Sequence, residues 1–179
     1  MNKALYKSSL NIIEINPNYK FSKLSITNGE LKKINDSTYS ILVDTSYQTK
    51  LIFKQHKRIR EINFRVNKMP EPELKFWSSE NIDINNITYK EFRNIKAISA
   101  ILSDFSNACS FKIISLEIIK IDRNETENKI KLYSPNSNDI QRITKQSNKG
   151  DIYIFKNIKI EIEDTKRIIN GKEVTIYLK

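Results

Sequence analysis

The chain is poor in the residues that punctuate, crosslink or catalyse. Only three of its 179 residues are glycine, so it has no Gly-rich loop to wrap a phosphate and no collagen-like repeat. Four prolines are too few for a Pro-rich linker. A single cysteine, Cys109, cannot form an internal disulfide and reads as a small buried hydrophobe. His56 is the only histidine, with no cysteine near it in sequence, which falls short of the three or four ligands of a zinc site. No pattern pairs His56 with a serine or threonine, so nucleophilic catalysis has no support. These shortages predict a non-enzymatic protein without metal or cofactor. No apolar run approaches the ~20 residues of a membrane span. The opening MNKALYKSSLNIIEI has basic residues but no apolar core of a secretory signal, so the expectation is a chain made without one or a mature portion of something longer.

What is present describes a folded protein. A hydrophobic fraction of 39% and a charged fraction of 29% suit a globular chain, and 179 residues allow one medium domain or two small ones. The net charge of +10 raises a nucleic-acid role. Yet Ile, Asn and Lys dominate the composition, and the acids Glu61, Glu71, Glu73, Glu161 and Glu163 interleave with the cations. Charge spread in this way reads as a solvated surface before it reads as a nucleic-acid footprint.

Alternation supplies the secondary structure. Ile13, Ile15, Tyr19 and Phe21 flank the turn-forming Asn16-Pro17-Asn18. Leu24 to Thr27 runs into Asn28-Gly29, a hairpin signal because both turn positions of a type I′ turn need positive φ. Thr38–Val43, Lys50–Phe53 and Ile62–Val66 complete about five strands at roughly 8–12-residue spacing, the rhythm of a small β-sandwich. Further on, Thr88-Tyr89-Lys90-Glu91 is a capping box that starts a short helix, which feeds a strand ending near Asp104. Phe111–Ile121 reads as a central strand, Asn124–Asn128 as a polar turn, and Ser134–Asn138 as an exposed loop. Ile152 and Ile154 are set on one face with Ile158, Ile160 and Ile162. That parity would also place Lys156 inside, so a bulge is expected near Lys156-Asn157. Turns at Asp164–Lys166 and Asn170-Gly171 lead to a last strand through Val174, Ile176 and Leu178. The pattern is antiparallel meander grammar throughout, with no βαβ spacing.

Between these halves stands a junction. Ile62, Phe64 and Val66 alternate with polar residues until Pro70 and Pro72, which cannot donate to a ladder and push their predecessors toward extended backbone. The chain is thus expected to be all-β, with domains over 1–69 and 70–179 and at most a short helix in the second. Pro70, Pro72 and Trp77 form the interdomain hinge, with Trp77 as an interdomain or core anchor. The candidate contact loop is Lys54-Gln55-His56-Lys57-Arg58-Ile59-Arg60, four basic residues in seven on a hairpin tip. Its default reading is a solvated tip, its functional ones a protein-partner surface or a phosphate contact. Aromatics for base stacking are absent within it, which counts against nucleic acid.

Three stretches together resemble the C-terminal half of the Bacteroidetes gliding-motility and type IX secretion family GldM (PorM). One is Phe64-Arg65-Val66-Asn67-Lys68-Met69-Pro70-Glu71-Pro72, similar to the family's Phe-Arg-Val-x-x-Ile-Pro-Asp-Pro. A second is Phe111-Lys112-Ile113-Ile114-Ser115-Leu116 following Ala100-Ile101-Leu102-Ser103-Asp104-Phe105. The third is Gly150-Asp151-Ile152-Tyr153-Ile154-Phe155-Lys156-Asn157-Ile158-Lys159. The resemblance runs from about Leu24 to the end. It implies two tandem Ig-like β-sandwiches, a dimeric periplasmic shaft, and contact with an outer-membrane-associated ring of lipoprotein and partner protein. The transmembrane helix and coupling acid of such a motor are missing, so the chain is expected to bind and hold rather than transduce energy. The rival expectation is a basic nucleic-acid-binding protein of the cytoplasm.

Overall fold

The computed structural model describes residues 4–44, 47–79, 82–102 and 110–179, and among these side chains that alternate between buried and exposed build fourteen strands. The chain is all-β in class, with two α-helices and one 3-10 turn among the described residues. Cys109, Asp104 and the Ser103–Phe105 part of the family motif lie outside the described residues. Contacts divide the chain into Met1–Pro70 and Glu71–Lys179.

The first unit contains β1 (Ala4–Tyr6), β2 (Leu10–Glu14), β3 (Lys23–Ile26), β4 (Glu30–Lys33), β5 (Thr38–Leu42), β6 (Gln48–Gln55) and β7 (Arg58–Asn67). They form two sheets, β1-β7-β6-β3 and β2-β5-β4. β1 lies parallel to β7, with Leu5 opposite Val66, so the antiparallel expectation fails at this edge. Between the sheets pack Leu5, Ile41, Val43, Leu51, Phe53, Phe64 and Val66. Ile41 and Val43 are wholly buried, each worth about 1.5–3 kcal/mol of hydrophobic transfer. Tyr19 and Phe21, from the β2–β3 connection, stand edge-on to Phe53 with ring centroids 5.3 and 5.5 Å away.

Asn28-Gly29 is not a hairpin. β3 pairs with β6 and β4 with β5, so these two residues carry the chain from one sheet to the other. The Thr49 hydroxyl donates to the Asn28 carbonyl at 3.1 Å and accepts the Asn28 N–H at 3.3 Å, holding the crossing against β6. Gly29 has φ +132°, and a Cβ there would lie 2.4 Å from the Leu42 carbonyl oxygen. Glycine is needed for close approach, not for a type I′ turn. The unit has seven strands where five were expected. β4, Glu-Leu-Lys-Lys, has one apolar residue and so carries no period-two signal, and β1 is only three residues long.

The second unit contains β8 (Glu73–Trp77), a 3-10 turn (Ile84–Asn86), α1 (Tyr89–Arg93), β9 (Ala97–Ile101), β10 (Phe111–Ile121), β11 (Glu127–Tyr133), α2 (Ser137–Thr144), β12 (Ile152–Ile162), β13 (Arg167–Asn170) and β14 (Val174–Tyr177). Five strands make one sheet, β11-β10-β12-β13, with β14 pairing the first half of β12 and β13 the second. β8 and β9 form a separate ribbon. Leu74 and Ala100 of the ribbon, Phe92 of α1 and Ile140 and Ile143 of α2 share one core with Ile118, Tyr153, Phe155 and Ile160 of the sheet. The cover is therefore partly helical.

α1 begins as expected, with the Thr88 side chain accepting the Glu91 N–H and the Glu91 carboxylate accepting the Thr88 N–H. α2 corrects the expectation of an exposed loop and at most one short helix. Asn136 is its N-cap, accepting from Asn138 and Asp139 N–H, and Asp139 completes a second capping box. A polar run after Pro135 was the start of a helix, which then buries Ile140, Ile143 and Thr144.

The bulge falls where parity placed it. Asn157 has φ +52°, and the β10–β12 register shifts between Ser115 opposite Lys159 and Glu117 opposite Lys156. One correction follows: Tyr153 and Phe155 point inward before the bulge, Ile158, Ile160 and Ile162 after it. Ile152 and Ile154 are on the other face. A bulge adds a residue and switches the inward parity, so one apolar set could not run through it.

Candidate partner-binding site

The predicted contact loop is a hairpin whose turn is only His56-Lys57. Gln55 pairs with Arg58, Lys54 with Ile59 and Phe53 with Arg60, so Lys54, Arg58, Ile59 and Arg60 belong to strands. His56 takes φ +53° to make the tight reversal. Strand alternation then separates the five candidates. Arg58 and Arg60 follow the parity of buried Phe64 and Val66, and the Arg60 guanidinium stands 5.4 Å from the Tyr19 ring centroid. Lys54 points to the opposite, outer face of the sheet. A single basic loop is thus corrected to a turn with two strand faces.

On that outer face the register gathers residues that are distant in sequence. Lys23 of β3 lies opposite Lys54 of β6, which lies opposite Ile59 of β7. The next row holds Ser25, Ile52 and Glu61, followed by Lys50 with Asn63 and Gln48 with Arg65. Lys50 reaches Glu61 at 2.8 Å. Lys23, Lys54, Lys57 and Arg65 make no ion pair among the described residues. At the Arg65 end the face opens into a groove of about 1120 Å³, lined by Tyr47, Gln48, Asn63 and Arg65 among others. Tyr47 is 89% exposed and Ile59 62%. Sequence reasoning missed Lys23 and Arg65, because their proximity to Lys54 depends on which strands pair.

The hinge candidates separate too. Pro70 is exposed, while Pro72 is buried and its carbonyl accepts the Lys172 N–H at 2.8 Å within the second unit. Trp77 is 46% exposed and lies outside the core, so it is not a core anchor. Its Nε1–H donates to Ser99 Oγ at 2.8 Å, and Lys75 Nζ stands 4.2 Å from the ring centroid. At the end of β8 the alternation that buries Leu74 turns Trp77 outward.

A second polar constellation surrounds the 145–151 loop of the second unit. Asp151 is 1% exposed, and its carboxylate accepts from Lys120 Nζ at 2.9 Å and from the Asn148 N–H at 2.8 Å. Lys120 also donates to the Gln146 carbonyl, Arg93 to that of Ser147 and Arg123 to that of Lys149. Three cations thus clamp one loop. Tyr153 is fully buried beside them, and its hydroxyl has no partner among the described residues. Burial, reinforced by the Asp151 charge, holds the phenol far above its ordinary pKa. The loop carbonyls and Asp151 thus engage these cations, which hold the loop in place. Among the described residues no group of three His, Cys, Asp or Glu could hold a metal, and no helix is long and apolar enough to cross a membrane. Comparison with protein-family models and with curated proteins returns no match for this chain.

Proposed function

We propose that this chain is a non-enzymatic binding and scaffold module of the cell envelope, resembling the ring-facing end of a GldM-type periplasmic shaft. The observation that carries the reading is the strand order of the first unit. The sheets β2-β5-β4 and β1-β7-β6-β3 enclose one core, with β1 parallel to the last strand, and this arrangement supports an immunoglobulin-type reading of the first unit. Sandwiches of this kind often carry binding on loops and faces held by a rigid core, and the step from this fold to a binding role is fold-level analogy. The second unit departs from that pattern in its partly helical cover, so the tandem Ig-like reading rests on the first unit. Pro70 and Pro72 restrict the backbone beside the boundary between the units, which is compatible with the hinge reading. The partner is a protein of the outer-membrane-associated ring, and two copies of the chain could pair.

The test is to tag the protein at its own locus, fractionate the cells and crosslink in place. The reading expects recovery in the envelope fraction with adducts to a ring lipoprotein or its partner. Recovery in the cytosol bound to nucleic acid would refute it in favour of the rival. That rival predicts salt-dependent retention on DNA, removed by neutralising Lys57, Arg58 and Arg60.

A further inference from the structure

We infer that the outer face of the β1-β7-β6-β3 sheet docks an extended acidic segment of a protein partner. The inference rests on the binding-module reading and names the surface and its ligand. Lys23, Lys50, Lys54 and Arg65 share the face and Lys57 stands at its turn, against the one carboxylate of Glu61. That carboxylate is already engaged by Lys50 at 2.8 Å. Lys23 and Lys54 face each other directly across the strands, an arrangement that costs stability when nothing neutralises it. Neither has an ion-pair partner among the described residues. An anionic ligand relieves this repulsion and gains two charge-assisted contacts at once.

Geometry selects an extended segment. From the Lys23–Lys54–Ile59 row to the Gln48–Arg65 row is six residues along the strands, or about 20 Å at ~3.3 Å per residue. A peptide of roughly six extended residues spans that distance. It would enter the groove beside Tyr47 and Arg65 at one end and meet Lys23 and Lys54 at the other. Chemistry selects protein over nucleic acid. Between the cations of the tip end lie Ile52, half-buried, and Ile59, 62% exposed. These branched aliphatic side chains match an apolar side chain of a peptide and offer no ring at the tip end, which leaves exposed Tyr47 at the groove end as the ring a base could use and makes the oligonucleotide probe the deciding comparison.

The experiment titrates the ¹⁵N-labelled full chain with three probes at about 150 mM salt: a twelve-residue alternating Glu-Leu peptide, a polyglutamate of equal charge and a single-stranded oligonucleotide of equal charge. The expected result is peptide-induced shifts at Ser25, Ile52, Lys54, Ile59 and Arg65. Lys23→Glu/Lys54→Glu should weaken the peptide by about tenfold or more, while Lys129→Glu/Lys131→Glu, the same charge change on β11 of the second unit, should move it by less than about threefold. Ile59→Ser should weaken the peptide and leave polyglutamate unchanged. Shifts confined to the second unit, equal losses from the two charge reversals, or absence of binding would overturn the assignment. An oligonucleotide that outcompetes the peptide would make the face a nucleic-acid surface instead. Shifts in the second unit would sink this face yet leave the module reading standing. A cytosolic location with peptide binding here would do the reverse.

Discussion

Removing Lys120 from beneath the 145–151 loop should destabilise the second unit far more than removing an exposed lysine. At 2.9 Å the Lys120–Asp151 attraction is about 6 kcal/mol gross in a medium of effective dielectric ~20. Desolvating the two groups costs several kcal/mol each, so the intact pair contributes little net. A single deletion is different, because it leaves Asp151, at 1% exposure, without its cation and with the Asn148 N–H as the remaining partner of its side chain among the described residues. For Lys120→Met we expect a loss of about 3 kcal/mol, reduced from the upper end of the ~3–5 range because the lysine side chain is 19% exposed. In a unit of this size that lowers the melting temperature by roughly 10 °C. Asp151→Asn keeps an oxygen to accept the Asn148 N–H and should cost about 2 kcal/mol. The double variant should cost clearly less than the sum, with a coupling of ~1.5 kcal/mol or more. Trp77 is the only tryptophan and belongs to β8, so its fluorescence during urea unfolding reports this unit. Additivity within about 0.5 kcal/mol, or a Lys120→Met cost below about 1 kcal/mol, would refute the buried-pair argument.

Tyr153→Phe removes a buried hydroxyl that has no partner among the described residues, so stability should hold or rise by about 1 kcal/mol in the same urea assay. Its pH dependence is one-sided. The folded phenol holds its proton more tightly than an unfolded one, so its contribution is complete below about pH 10 and is lost above it at up to ~1.4 kcal/mol per pH unit. That alkaline slope should be shallower in Tyr153→Phe, and an unchanged slope would exclude Tyr153 as its source. Gly29→Ala drives a methyl into the Leu42 carbonyl and should cost the first unit about 2 kcal/mol or more, read as faster hydrogen exchange at the Ile41 and Val43 amides. Thr88→Ala opens the α1 capping box at about 1 kcal/mol, seen as faster exchange at Phe92. Two Thr88 hydrogen bonds hold the Glu91 carboxyl below its ordinary range, so the cap persists at neutral pH and fades as pH falls through that lowered value.

What could be read from residue order was local. The Thr88–Glu91 box and the Lys156-Asn157 bulge each rest on fewer than about ten consecutive residues, and both are where the pattern put them. What failed was pairing. Asn28-Gly29 has the right residues for a hairpin, but Thr27 and Asn28 bond to Thr49, and nothing within the turn encodes that distant partner. α2 was obscured because Asn136 and Asp139 look the same in a loop and in a capping box until Ile140 and Ile143 bury behind them. The candidate site failed the same way. Consecutive Lys57, Arg58, Ile59 and Arg60 make a dense basic string, yet in a strand neighbours point apart, and the residues near Lys54 are Lys23 and Ile59.

That distinction changes what the net charge of +10 means. Along the chain the cations look evenly spread, the pattern of a merely solvated surface. Folding gives two sets of them different physical fates. In the second unit Arg93, Lys120 and Arg123 donate to the carbonyls of a single loop, and the buried Asp151 carboxylate offsets the charge of Lys120. In the first unit Lys23, Lys54 and Arg65 share one sheet face without an ion-pair partner among the described residues, since the Glu61 carboxylate of that face is engaged by Lys50. Exposed charges of one sign repel over roughly a Debye length, about 8 Å at physiological salt, which exceeds the ~5 Å spacing between paired strands. The paired backbones thus bring the two ammonium groups within reach of each other's field, and Lys23→Gln or Lys54→Gln should stabilise the first unit by a few tenths of a kcal/mol at low salt. The gain should vanish in high salt. If both neutral variants instead lost stability, the two lysines would be serving the fold, and the face would have no free charge with which to recruit a partner.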